Sequence, residues 1–175
     1  MNFSVQQELS NDNVLLKPLK ESDFEDLFLQ ASDEEVWNQH PNKNRYKREV
    51  FENFFNGALE SKGAFVIIDK PSNKIIGSTR FYDFNAEDNS IFIGYTFYGK
   101  NFWGKNYNSQ VKKLMLDYIF QFVDSVNFHV GSENFRSRRA MEKLGAKNIG
   151  ELDVAYFGED SKMNVLYRIG KEDWD

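Results

Sequence analysis

The chain has 175 residues, 41% of them hydrophobic and 28% charged, which suits one domain with a proper core and is too short for two comfortable ones. Its 22 basic and 27 acidic side chains leave a net charge of −5, against a surface built mainly for nucleic acid. With no cysteine and only His40 and His129 as imidazoles, disulfides, thiolate catalysis, Cys-based zinc and a His-rich metal site are excluded.

Residues 1–12 are polar and are expected to be loosely held. They lack the basic stretch and apolar run of a signal peptide, and no later run approaches a membrane span. The expectation is a cytoplasmic protein without a membrane partner. Val14–Leu19, interrupted by Pro18, reads as an edge strand. Ser22 and Glu25 form a candidate capping box, and Phe24, Leu27, Phe28 and Ala31 at helical spacing predict a helix to about Ser32. A polar connection, Asp33–Tyr46, carries Trp37, His40 and Pro41 before a second amphipathic helix with Phe51, Phe54, Phe55 and Ala58 on one stripe.

Ala64–Ile68 and Ile75–Tyr82 are rich in β-branched and aromatic residues, and Lys70–Asn73 between them is turn chemistry, which predicts a hairpin. A loop at Asp83–Ser90 leads to a strand at Ile91–Phe97. An irregular stretch, Tyr98–Tyr107, precedes the longest helix, expected over Asn108–Asp124. Val126–Val130 reads as a short buried strand, with His129 as a core residue. Asn134 can cap a helix that runs to Leu144 and stops at Gly145. Two strands around a turn at Gly158–Lys162 complete the chain. The order β-α-α-β-β-β-α-β-α-β-β, without repeat or linker, predicts one α+β domain over residues 1–175.

The chemistry concentrates between Phe97 and Asn108, where a glycine-containing segment joins a strand to a long helix. A helix N-terminus offers unpaired N–H groups and a positive dipole end, so an anion such as a phosphate is expected there. An ordinary strand-to-helix turn is the plain alternative. Gly99-xxxx-Gly104-Lys105 also has P-loop spacing, but Asn106 replaces the magnesium-binding Ser or Thr and Phe102 and Trp103 are too bulky to wrap a phosphate. A P-loop nucleotide-binding protein is therefore a distant alternative.

Trp103-Gly104-Lys105-Asn106-Tyr107 resembles the Q/R-x-x-G-x-G/A pyrophosphate loop of GNAT acetyltransferases. Ile93-Gly94-Tyr95 looks like the Ile-Gly-Tyr of the branch acting on ribosomal-protein N-termini and small amines. Asn134-Phe135-Arg136-Ser137-Arg138-Arg139-Ala140-Met141-Glu142-Lys143-Leu144-Gly145 is similar to that family's N-x-x-S-x-x-x-x-E-K-x-G signature. The element order agrees from Val14 to Ile169. Asn106 stands where the loop pattern has its second glycine, and Asn101 where Gln or Arg is commoner. Phe92 stands where many relatives carry a Glu often proposed as the base, and Met141 where others have an acidic Tyr.

The resemblance implies a mixed, mostly antiparallel sheet of about seven strands flanked by helices, with two splayed parallel strands in the middle. It implies an N-acetyltransferase that moves acetyl from acetyl-CoA to a primary amine, either a protein N-terminus or a small molecule, by direct attack in a ternary complex. No metal is implied. Tyr95 and Phe97 would polarise the thioester through backbone N–H groups. Trp103, Gly104, Lys105, Asn106, Tyr107 and Asn108 would hold the pyrophosphate, and Asn134 would contact the coenzyme while capping its helix. Ser137 is the candidate acid, or else a solvated first-turn serine. Arg136, Arg138 and Arg139 could meet a ribose phosphate, although solvated charge runs are commoner. Asp83 and Glu87, with Asp88, are candidate bases acting through water, and His40 and Arg45 candidate substrate contacts. A catalytically idle coenzyme A-binding module of the same fold is the alternative function. A homodimer is left open by the family's habit, with no heptad pattern to support it.

Overall fold

The computed structural model describes residues 1–156 and 158–174. Eight strands form one sheet: β1 (Leu9–Ser10), β2 (Val14–Pro18), β3 (Ala64–Asp69), β4 (Lys74–Asn85), β5 (Ser90–Tyr98), β6 (Ser125–Gly131), β7 (Lys147–Val154) and β8 (Lys162–Gly170). They lie in the order β1-β2-β3-β4-β5-β6-β8-β7. Every neighbouring pair is antiparallel except β5 and β6. Four α-helices, α1 (Phe24–Ala31), α2 (Arg48–Ser61), α3 (Tyr107–Ile119) and α4 (Phe135–Leu144), cover the two faces.

The period of two along β3 explains the layering. Phe65 and Ile67 pack with Val111, Met115, Leu116 and Ile119 of α3 and Met141 of α4. Ala64 and Val66 point the other way, onto Leu27 and Ala31 of α1 and Phe51, Phe54, Phe55 and Ala58 of α2. Burying both faces is what lets strands such as β3 read as continuous apolar runs. Phe24, Phe28, Phe51, Phe54, Phe55 and Phe97 meet ring to ring on the α1–α2 side, which is where much of the phenylalanine is used.

Several local expectations change. The predicted edge strand, β2, lies one place in, because Leu9 and Ser10 pair with Leu16 and Leu15. The start of the first helical segment is fixed by Asp23, whose carboxylate accepts from the Lys20 N–H at 2.8 Å. Ser22 and Glu25 do not form that box, since Glu25 faces Arg48 instead. Helix α3 ends at Ile119, five residues early: tight turns at Gln121 and Phe122 bring Asp124 N–H onto the Asn89 carbonyl and start β6 at Ser125. β4 runs on to Asn85, so Asp83 is in a strand, at a bulge where its φ is 49°.

Candidate active site

The sheet opens in its middle. β5 and β6 pair only at Ser90–Ser125, Ile91–Val126 and Phe92–Asn127. Beyond that point β6 continues through Gly131 against β8 alone. β5 bends at a bulge: Gly94 pairs with Arg80 and Phe97 with Ser78, so Tyr95 and Thr96 stand opposite the single residue Thr79. Tyr95 takes a left-handed φ of 52°, an uncommon state for an aromatic residue and one the surrounding fold must impose. The parting of the strands leaves a cleft of about 380 Å³, lined from Trp103 and α3 at one end to Tyr82, His129 and Tyr156 at the other.

The loop before α3 ends one wall. Gly104 has φ 71° with open space where a Cβ would stand, and Asn106 has φ 63° as the residue preceding the helix. Asn106 thus adopts the left-handed state that glycine enters most freely and that short polar side chains tolerate best among the rest. The first N–H groups of α3 have no partner within the helix, and its first residues, Tyr107, Asn108 and Ser109, line the cleft. Trp103, Gly104, Asn106, Tyr107 and Asn108 line it, whereas Lys105 is not among the lining residues and lies 5.7 Å over the Phe102 ring. Tyr107 donates to Asp69 at 2.9 Å and Tyr98 to Asn108 at 3.3 Å, tying the loop to β3 and β5. Gly99 does not join a phosphate-wrapping loop, because Lys100–Phe102 forms a 3-10 turn and a Cβ at Gly99 would strike Gln30.

The opposite wall is the N-terminus of α4. Asn134 is buried and its side chain accepts from Ser137 N–H at 3.2 Å, the expected cap. Ser137 lines the cleft, half-buried. The three arginines of the basic cluster part company. Arg138 is held by Ser132 and Tyr167, Arg139 stays exposed, and Arg136 places its guanidinium 4.0 Å from the Trp103 ring. Arg136 and Trp103 therefore meet across the cleft, one from each wall.

At the far end, aromatic side chains gather. Gly131 closes β6 against Pro41, whose ring carbon would lie 2.5 Å from a Cβ there, so only glycine admits the 38–44 connection beside the cleft. Arg45 is buried in a bidentate pair with Glu159, at 2.9 and 3.0 Å, and sits within 5.5 Å of the Trp37, Phe54 and Tyr156 rings. His40 lines the cleft edge-on to Trp37; burial, with Arg45 and Arg136 nearby, pushes it down to about 3, so it stays neutral. Its ring and Arg45 come to the same end of the cleft.

His129 corrects the sequence reading. It is half-buried and lines the cleft, stacked on Phe92 with ring centroids 4.3 Å apart. Its Nδ1 lies 3.1 Å from the Tyr82 hydroxyl, and burial holds the imidazole below its ordinary 6.5 despite Asp83. Only the alternation along β6 could have flagged it, since His129 falls between the inward Phe128 and Val130. Asp83 is exposed and outside the cleft lining; Glu87 lies at the β4–β5 turn, its N–H bonded to Asn85. Asp88 is taken by Arg168 and Ser90. Tyr82, Tyr156 and Lys112 are lining residues that the sequence did not single out.

Among the described residues no group of three or more acidic or histidine side chains could hold a metal, and no helix is long and apolar enough to cross a membrane.

Comparison with known proteins agrees with this geometry. The sequence matches the Acetyltransferase (GNAT) domain profile over residues 13–147. A comparison with curated protein sequences returns no match. A solved GCN5-related N-acetyltransferase from Brucella melitensis superposes with a TM-score of 0.83 at 21% identity, covering 97% of this chain and 80% of that one. The ribosomal-protein-S5-alanine acetyltransferase from Vibrio fischeri gives 0.71 at 16% identity, with 97% and 99% covered. Spermidine N-acetyltransferase from Vibrio cholerae, in complex with CoA and spermine, gives 0.70 at 18%, with 93% and 98% covered. At these identities the likeness is one of fold.

Proposed function

Because the chain belongs to the GNAT acetyltransferase family, we propose that it transfers acetyl from acetyl-CoA to a primary amine by direct attack in a ternary complex. The observation that carries this reading is the cleft itself, continuous from the helix N-terminus at Asn106–Asn108 to the bulge at Tyr95. Anionic phosphates suit the unpaired N–H groups and dipole of α3, and the open space at Gly104 admits them close to the backbone. Asn134 and Ser137 serve the coenzyme from the other wall. Residues 1–175 act as one domain in this reading, supported by the single sheet.

The acceptor amine must be neutral to attack the thioester carbonyl carbon. Its nitrogen forms the new C–N bond as the C–S bond breaks, and it gives up a proton. We assign the receiving base to His129. When Nδ1–H donates to the Tyr82 oxygen, Nε2 is left as the acceptor, and burial keeps the ring unprotonated at neutral pH. The position near Phe92, where relatives carry a Glu, is thus served from the neighbouring strand. N–H groups at Tyr95–Phe97 polarise the carbonyl, and Ser137 is placed to return a proton to the thiolate.

Charge narrows the acceptor. Tyr82, Tyr95 and Tyr156 supply ring faces, Arg45 is neutralised by Glu159, and His40 is neutral. No unpaired carboxylate is among the cleft-lining residues described, so a polyamine's second ammonium would find no counter-charge. The favoured acceptor is an amine on an apolar or aromatic carrier, whether a peptide N-terminus or a small monoamine. The stacking of Phe92 on His129 is also what an idle coenzyme A-binding module would tolerate.

Calorimetry with acetyl-CoA, and with ATP–Mg²⁺ as control, tests the site; thiol release across an amine panel then tests turnover. Binding with release supports the enzyme. Binding without release across the panel supports the idle module, and no acetyl-CoA binding overturns both.

A further inference from the structure

A primary amine lies inside the cleft, and the reaction as proposed has no use for it. Lys112 turns inward from α3 and is 3% exposed, while the adjacent Lys113 reaches solvent and pairs with Asp117. The Lys112 Nζ donates to the Thr96 hydroxyl at 2.9 Å, and that oxygen is itself 2.9 Å from Thr79 Oγ1. Thr96 is the second residue of the β5 bulge. The amine therefore rests against Tyr95–Phe97, the stretch whose N–H groups face the thioester in the proposed reaction.

An ammonium carries three donors, and among the described residues Thr96 is the one hydrogen-bond acceptor at the Lys112 Nζ. Among the described residues no carboxylate pairs with it, and burial pushes Lys112 down to about 7. An uncharged, nucleophilic amine is thus a major form near neutrality, as in lysines that act by covalent chemistry. Lys143, the other lysine bordering the cleft, is exposed on α4 and has no such environment.

We propose that Lys112 is itself an acetyl acceptor, modified inside the cleft from acetyl-CoA when no better amine is present. This rests on the acetyl-CoA reading of the same cleft. The Nζ lone pair attacks the thioester carbonyl carbon; an N–C bond forms, the C–S bond breaks with its electrons passing to sulfur, and the proton shed by nitrogen goes to the thiolate. The products are an N-acetylated lysine and free coenzyme A. The amide keeps one N–H for Thr96 and removes an uncompensated buried charge, which favours the modified state. It also fills part of the cleft wall, so modification is self-limiting and closes the molecule to further turnover.

The test compares two acetylating conditions on the intact wild-type chain. A general amine-acetylating reagent should label exposed lysines such as Lys17, Lys62 and Lys113 and spare Lys112. Acetyl-CoA without an acceptor should reverse that order, with Lys112 the most occupied site in peptide mass spectrometry and thiol-release activity falling as its occupancy rises. In the Lys112→Arg protein, acetyl-CoA should still bind by calorimetry while the peptide gains no acetyl group. The same labelling order under both conditions overturns this proposal alone, provided acetyl-CoA binds. Absence of acetyl-CoA binding overturns it together with the transferase reading.

Discussion

Changing Glu159 to Gln keeps the side chain's shape and removes its charge. Its partner Arg45 is 4% exposed and Glu159 9%, and Arg45 is enclosed by three rings at 4.7–5.5 Å. The amide offers one acceptor oxygen where the carboxylate gave two, and the guanidinium charge is left uncompensated. Breaking a buried pair this way costs about 3–5 kcal/mol when the structure cannot respond. Here it can respond. Glu159 lies in the 155–161 connection between β7 and β8, whose described residues belong to neither core cluster. Lifting that connection hydrates Arg45 without opening the sheet, so the penalty is capped by the free energy of local opening. Urea denaturation should therefore show a loss of only about 1–2 kcal/mol. Amide exchange at Tyr156, Glu159 and Asp160 should accelerate, and the acceptor KM should rise severalfold with acetyl-CoA affinity unchanged. The apolar pair Arg45→Met with Glu159→Leu should recover the lost stability. A full 3–5 kcal/mol global loss with unchanged exchange at those amides would refute the argument, because the pair would then belong to the cooperative core.

His129→Gln should lower kcat/KM by about 10²–10⁴-fold, the usual contribution of a positioned base. Because burial depresses the imidazole, the wild-type acid limb should lie below the ordinary 6.5: the neutral base is present above that limb and lost as pH falls through it. The limb should vanish in the variant, as a pH–rate profile will show. Asn106→Val forces a β-branched residue into φ 63° and should cost about 1–2 kcal/mol in thermal unfolding, with weaker acetyl-CoA binding by calorimetry. Asn106→Gly should bind at least as well as wild type. Asn134→Ala removes a cap worth about 1 kcal/mol and should weaken acetyl-CoA binding as well as lower the Tm.

The parts of the site that depend on local chemistry were legible in the chain. The segment at Trp103–Asn108 and the Asn134 cap each declare themselves by residue type at short spacing. What was not legible arises where distant segments meet. Tyr82 and His129 are 47 positions apart and touch because β4, β5 and β6 are adjacent. The bulge at Tyr95 is a matter of register with Thr79, which no periodicity in β5 alone reveals. Lys112 gave a faint signal: it shares the helical stripe of the buried Leu116, yet beside Lys113 it reads as a solvated pair. Asp83 illustrates the converse, a carboxylate whose chain position beside a turn suggested a role and whose side chain stays outside the cleft.

The three residue pairs that join β5 to β6 also give the molecule a mechanical character. The backbone pairing at that seam lies at one end, Ser90–Phe92 with Ser125–Asn127, and Asn89 with Asp124 and Asp88 with Arg168 reinforce it there, while farther out side chains such as Tyr82 with His129 and Trp103 with Arg136 bridge the gap. β6, β8 and β7 then form one jaw and β1 to β5 the other, joined like a clothes-peg at its spring. At about 3.3 Å per residue the five steps from Phe92 to Phe97 make a lever of roughly 16 Å. A rotation of about 5° at the seam moves the mouth by roughly 1.4 Å over that length, while the pivot itself is displaced hardly at all. A bulky ligand can thus enter and leave by small angular play, without breaking a single ladder hydrogen bond on either jaw.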